Sequence, residues 1–303
     1  MSLRIEPLPR MAGHLPFMRG RLVRIDDLVP GMVAAFGVRA GRDARTDLAA
    51  LAMRETSAYF GSHFNANMKS AMDIDQRQPL RSAAMAGAMV DLGDIEVDMA
   101  AFGLDIAIRQ IVARICRRGA IPIMLGGDQA DGVSASAGLG EAHAESPESP
   151  ALVLICAAPR AGPAGTADGF CTLSQPLREN NRHAGLALTF QDLRKSFECA
   201  VGMMLDHFGT KPVHVALDAS AIASHWHATH ADAGFDGLSL SECRALFRRL
   251  GRANIASLSI TGLDPTINGL SLVKTGQRLL LTAILDLIYA RLDVLGPRLE
   301  PGP

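Results

Sequence analysis

The stretch VDMAAFGLDIAIRQIVARICRRGAIPIMLGGDQ, residues 97–129, decides the fold. Leu104, Ile108, Ile111 and Ile115 recur at three- and four-residue intervals, the spacing of one buried helix face. The expected helix covers 97–118, and Gly119 ends it. IPIML (121–125) then reads as a strand, followed at once by a turn at Gly126 and Gly127. Helix, glycine stop, apolar strand and glycine turn together make one unit of an α/β sheet.

Working outward, the unit repeats. ALVLICAA (151–158) is apolar throughout, as a strand buried on both faces of a parallel sheet must be. A helix is expected over 190–208 and a strand over 212–219. Ser239 and Glu242 form a capping box that opens a helix to about residue 250. A strand follows at 255–261 and a long final helix at 272–292. Upstream, GMVAAFG (31–37) and AMVDLG (88–93) read as strands, 47–59 as a helix and 60–80 as a polar loop. Residues 1–20 are rich in Pro, Arg and Gly, so the division is an N-terminal arm (1–27) and one α/β domain (28–303). In such a sheet, ligands sit beyond the carboxyl ends of the strands.

The bulk numbers exclude several classes. The chain has 303 residues, with 48% apolar and 20% charged, as a globular protein requires. A net charge of −1 and 5% aromatic residues give no footing for nucleic acid or an anionic membrane. No apolar run reaches the ~20 residues of a membrane span, and the most apolar segment, 279–287, is interrupted by Asp286. No signal-peptide pattern occurs. The five cysteines, Cys116, Cys156, Cys171, Cys199 and Cys243, are widely spaced and odd in number. They read as reduced thiols of a cytoplasmic protein, most of them small buried residues.

Three segments fall at expected strand ends: GGDQ (126–129), CAAPR (156–160) and LDAS (217–220). Their frames resemble the Gly-Gly-Asp-His, Asp-Ala-His-x-Asp and Asp-x-Asp motifs of the ureohydrolases, the arginase and agmatinase family. VPGMV (29–33), VDLGD (90–94) and GAIPIMLGGD (119–128) fit the agmatinase branch, and HVALDASAIASHWHATHADAGFDGL (214–238) follows the family frame without a gap. The resemblance runs from about residue 28 to 289. It implies a three-layer α/β/α arginase-type fold with a central, mainly parallel sheet. It also implies a trimeric or hexameric homo-oligomer.

In that family the motifs hold two Mn(II) ions, which activate a shared water against a poorly electrophilic guanidino carbon. Here only the ligand position at Asp218 keeps its carboxylate. Gln129, Cys156, Ala158, Arg160 and Ser220 stand at other ligand positions. Gly234 stands where the family carries a substrate-contacting Glu, and Ser259 and Gly262 at two further acidic positions. Asp128 and Asp218 are then expected to be carboxylates left near an emptied centre. Arg160 is expected to place its guanidinium there, paired with Asp218 and with Asp128 as a further partner.

Other residues offer chemistry. His183, in NRHAG (181–185), resembles a proton-transfer histidine of the family and is the one candidate catalytic group. His225, His227, His230 and Asp232 lie within eight residues and could hold a single Zn(II) or Ni(II). A polar loop with solvated histidines explains the same residues. Cys156 would need a base before it could act as a nucleophile. The Gly126-Gly127 turn lacks the Lys-Ser/Thr of a phosphate loop.

The expected protein is therefore a ureohydrolase-like chain without the dinuclear manganese site and with no cofactor. It would serve as a non-catalytic subunit or ligand-binding regulator, either alone, with a small-molecule ligand, or in a complex with an active ureohydrolase. The alternative is an agmatinase-like C–N hydrolase with a metal site rebuilt on the loop from His225 to Asp232.

Overall fold

The computed structural model describes residues 16–39, 48–63, 72–73, 78–79, 88–95, 103–159, 169–175, 185–222, 236–265 and 270–295. Eleven strands are present among them: β1 (Arg21–Leu22), β2 (Val33–Val38), β3 (Met72–Asp73), β4 (Gln78–Pro79), β5 (Met89–Ile95), β6 (Ile121–Leu125), β7 (Ala151–Ile155), β8 (Phe170–Ser174), β9 (Leu186–Thr189), β10 (Val213–Asp218) and β11 (Ile255–Thr261). The helices are α1 (Ala49–His63), α2 (Leu104–Arg117), α3 (Gln129–Ala142), α4 (Phe190–Lys195), α5 (Phe197–Phe208), α6 (Leu240–Leu250) and α7 (Leu270–Leu295). Nine strands form one sheet in the order β1-β5-β2-β6-β11-β10-β7-β8-β9, and every pairing is parallel. The short β3 and β4 pair antiparallel with each other.

The layers follow from the two-residue alternation of each strand. In β2, Val33 and Ala35 enter a core shared with Met53 of α1, Leu246 of α6 and Ile284 of α7. Ala34, Phe36 and Val38 enter the opposite core, with Leu104, Ile108 and Ile111 of α2. Every residue of β2, β5, β7, β8 and β10 is buried, which explains their nearly unbroken apolar sequences. Among the described residues no helix is long and apolar enough to cross a membrane.

Several expectations need correction. The helix expected from residue 97 begins at Leu104, with Gly103 as its extended N-cap. The single helix expected over 190–208 is two, because Ser196 takes φ −156° and ψ 95° between α4 and α5. A capping box of Thr189 and Asp192 opens α4. Helix α3 has no counterpart in the sequence reading. Its sequence, QADGVSASAGLGEA, carries no apolar stripe. Small residues seat it instead: a Cβ on Gly138 would lie 2.5 Å from the Arg109 carbonyl oxygen of α2. Strand β8 and the edge strand β9 likewise have no counterpart in the sequence reading. The capping box at Ser239 and Glu242 forms as expected.

Within the segment read as an arm (1–27), Phe17 is buried and β1 joins the sheet beside β5. Cys156, Cys171 and Cys243 are buried, and all five cysteines are free. Burial pushes the Cys171 thiol up to about 12. It does the same to Cys243, helped by the charges of Asp286 and Glu242.

Candidate functional site

Strands β6, β11, β10 and β7 are consecutive in the sheet, so their carboxyl ends form one continuous ledge. The ledge brings together Gly126–Gln129, Thr261 and Gly262, Asp218–Ser220 and Cys156–Ala158, segments that lie far apart in the chain. Backbone bonds fix the seam: Gly126 N–H donates to the Ile260 carbonyl (2.9 Å) and Gly262 N–H to that of Gly127 (3.0 Å).

Asp218 is buried, and both its oxygens are engaged. Oδ1 accepts from the Ser220 backbone N–H (2.9 Å) and Oδ2 from the Thr261 hydroxyl (3.1 Å). Ser220 Oγ accepts from the Ala157 N–H (3.1 Å), which ties β10 to the end of β7. Gln129 uses its amide nitrogen to reach the Ala158 carbonyl (3.2 Å). Cys156 lies in the core beneath the ledge with Leu154 and Phe170.

Asp128 differs from expectation. It is exposed, not buried beside Asp218. Its Oδ1 accepts from Asp131 N–H (3.0 Å), and Asp131 Oδ2 accepts from Asp128 N–H (2.9 Å). This reciprocal box opens α3, a role that three-residue spacing permits and that needs no metal. Arg160, His183, His225, His227, His230, Asp232 and Gly234 lie outside the described residues, and so does the expected pairing of Arg160 with Asp218.

Gly262 has φ +69°, and a Cβ there would lie 2.7 Å from Asp218 Oδ2. An acidic side chain at this position would meet both backbone strain and a like charge. Gly262→Ala should therefore cost about 2–3 kcal/mol, read as a lower midpoint in urea. Gly140→Ala is the control: nothing lies within 4 Å of its Cβ position inside α3. That change should stabilise by ~0.5–1 kcal/mol.

The described donors do not fit a pair of manganese ions. The buried Asp218, one amide, two hydroxyls and a buried thiol, with Asp128 exposed and capping α3, supply too few hard anionic ligands. Among the described residues, no three His, Cys, Asp or Glu side chains form a group able to hold a metal.

The sequence reading missed two buried polar clusters. The first lies between β5 and α1. Arg54 of α1 is 1% exposed and donates through Nε to Asp91 Oδ2 (2.7 Å), through Nη2 to Asp91 Oδ1 (2.9 Å), and through Nη1 to Asp94. Asp91 also accepts from the Phe17 and Gly93 N–H groups at 2.7 and 2.9 Å. The second Asp94 oxygen makes no hydrogen bond but forms an ion pair with Arg39 Nε at 2.7 Å. Burial opposes the Arg54 charge, but the bonds and charges of Asp91 and Asp94 outweigh it and raise its pKa. The signal was present in VDLGD (90–94): two carboxylates in an otherwise apolar strand require a buried cation.

The second cluster is His214 of β10. Its Nδ1 lies 2.5 Å from Ser257 Oγ and its Nε2 3.0 Å from Ser259 Oγ, both on β11. Burial pushes the imidazole down to about 3.

Comparison with known proteins places the architecture. No family model matches the sequence, and no curated protein matches it significantly. Solved structures do match. A hypothetical agmatinase from Burkholderia thailandensis aligns at TM-score 0.72 and 16% identity, over 93% of this chain and 92% of that one. Proclavaminate amidino hydrolase from Streptomyces clavuligerus aligns at TM-score 0.72 and 17% identity, over 94% and 99%. Formimidoylglutamase from Bacillus subtilis aligns at TM-score 0.69 and 16% identity, over 96% and 98%. The parallel nine-stranded sheet and its helices are thus the arginase/agmatinase fold, and at these identities the likeness concerns fold alone.

Proposed function

We propose that this chain is a non-catalytic ureohydrolase relative, acting as a subunit or ligand-binding regulator. One observation carries the reading: Asp218, the sole carboxylate kept at a motif ligand position, has both oxygens engaged by Ser220 and Thr261. Its neighbours on the ledge, Gln129 and Ser220, are likewise bonded to the ends of β7. These bonds close the ledge with protein partners where a hydrolase needs charged ligands facing an activated water. The positive φ at Gly262 opposes regaining a carboxylate there. The carboxyl ends of the strands are also where ligands of parallel sheets gather. The proposed assembly is a trimeric or hexameric homo-oligomer, or a complex with an active ureohydrolase.

Metal content by elemental mass spectrometry tests the reading. Tag-free protein is measured before and after loading with Mn(II), Zn(II) and Ni(II) and desalting. The expected result is no stoichiometric metal, and no urea released from agmatine, arginine or guanidinobutyrate with Mn(II) added. Two Mn per chain with urea release would overturn the proposal. Stoichiometric Zn or Ni would instead favour a rebuilt site on His225, His227, His230 and Asp232.

A further inference from the structure

At the opposite edge of the sheet, where β6 and β11 begin, lies a groove of about 500 Å³. Pro30, Ile121, Ile255, Ala256 and Leu295 give it a largely apolar lining, and Cys116, His143 and Arg291 complete it. The groove shares no residue with the ledge at the carboxyl ends.

Arg291 is the unusual member. The buried Arg54 and the partly buried Arg109, Arg244 and Arg248 each face a carboxylate. Arg291 faces none among the described residues. Its Nη1 donates to the Ala253 carbonyl (3.2 Å) and its Nη2 to Asn254 Oδ1 (2.6 Å). These are neutral acceptors, and they leave further guanidinium donors unused. The buried Nε makes no hydrogen bond. Burial holds Arg291 below the ordinary arginine value. A half-buried cation that faces no carboxylate among the described residues, beside an apolar groove, is an arrangement that an anion would stabilise.

The other polar groups do not supply that anion. Burial, only partly opposed by the nearby Arg117 charge, pushes the Cys116 thiol up to about 12, so it stays neutral. His143 Nδ1 lies 3.1 Å from the Leu139 carbonyl and is assigned as donor, which leaves Nε2 as an acceptor.

We propose that this groove is a regulatory binding site for a small amphipathic carboxylate. The apolar body lies against Ile121, Ala256 and Leu295, and the carboxylate accepts hydrogen bonds from Arg291. One cation with an apolar lining suits a monoanion with a hydrocarbon tail better than a multiply charged phosphate.

The test is isothermal titration of the full-length protein with sodium octanoate, with n-octylamine as the control of opposite charge. Saturable one-to-one binding of octanoate and none of octylamine are expected. Arg291→Met should weaken octanoate binding ~tenfold or more, because a charge-assisted hydrogen bond is lost. Leu295→Trp, on the last turn of α7, should block the groove without touching the guanidinium. If either variant folds and binds as wild type, the proposal falls. Equal binding of octylamine, or no octanoate binding up to its solubility limit, would also overturn it.

Discussion

Replacing Arg54 with methionine should destabilise the protein by about 3–5 kcal/mol, because two buried carboxylates lose their cation. Asp91 and Asp94 are 0% and 4% exposed, and Arg54 bridges them. Methionine keeps the volume and removes the charge, so the loss reports electrostatics and donors and not a cavity. Against a typical total of about 5–15 kcal/mol, such a loss leaves little margin. The damage should also spread. Asp91 holds the Phe17 N–H, and Ser57 on α1 accepts from Met18 N–H (2.7 Å). The turn at Phe17–Arg19 is thus pinned to α1 and β5 through the same group of residues.

A double variant separates this cause from general misfolding. Adding Asp91→Asn to Arg54→Met should recover part of the loss, since one buried charge is then gone. Urea midpoints of wild type, single and double variants at pH 7 provide the check. A deficit of under ~1 kcal/mol at pH 7 would mean that the cluster is not desolvated.

The second large effect concerns acid. An ordinary imidazole protonates near pH 6.5, whereas burial holds His214 down to about 3. Between these values the unfolded chain binds a proton that the folded chain does not. Stability contributed by the neutral ring is therefore fully present above pH 6.5 and is lost progressively as pH falls towards 3. The slope approaches ~1.4 kcal/mol per pH unit, and the total reaches several kcal/mol. The cause is desolvation and not the hydrogen bonds, because Ser257 and Ser259 hydroxyls could accept from a charged ring as well as exchange bonds with a neutral one. The triple variant His214→Leu, Ser257→Ala, Ser259→Ala removes all three polar partners together and should fold. Comparing it with wild type from pH 6.5 to pH 5 isolates the histidine, because most carboxylates remain ionised there. Wild type should lose stability across that window by about one proton's slope more than the variant. Parallel curves would show that His214 is charged or hydrated in the folded protein.

What the sequence determined by itself was local. The strands at 121–125 and 255–261 have the bounds read from their apolar runs, and the box at Ser239 and Glu242 caps α6 as its three-residue spacing requires. Each depends on neighbours within one turn or one strand, so the letters carry the information. The resemblance of three strand-end segments likewise led to the arginase/agmatinase fold.

Only tertiary structure decided the rest. Helix α3 is invisible in an amphipathic reading, because close approach at Gly132 and Gly138 replaces an apolar stripe. Asp128 was expected in a buried centre and instead caps that helix. Asp91 meets its cation 37 residues back in the chain, and His214 meets its serines 43 and 45 residues ahead. The sequence names these polar groups but not their partners. Whether a buried charge is stabilised depends on which distant strand or helix lies within about 3 Å of it, and that is a property of packing.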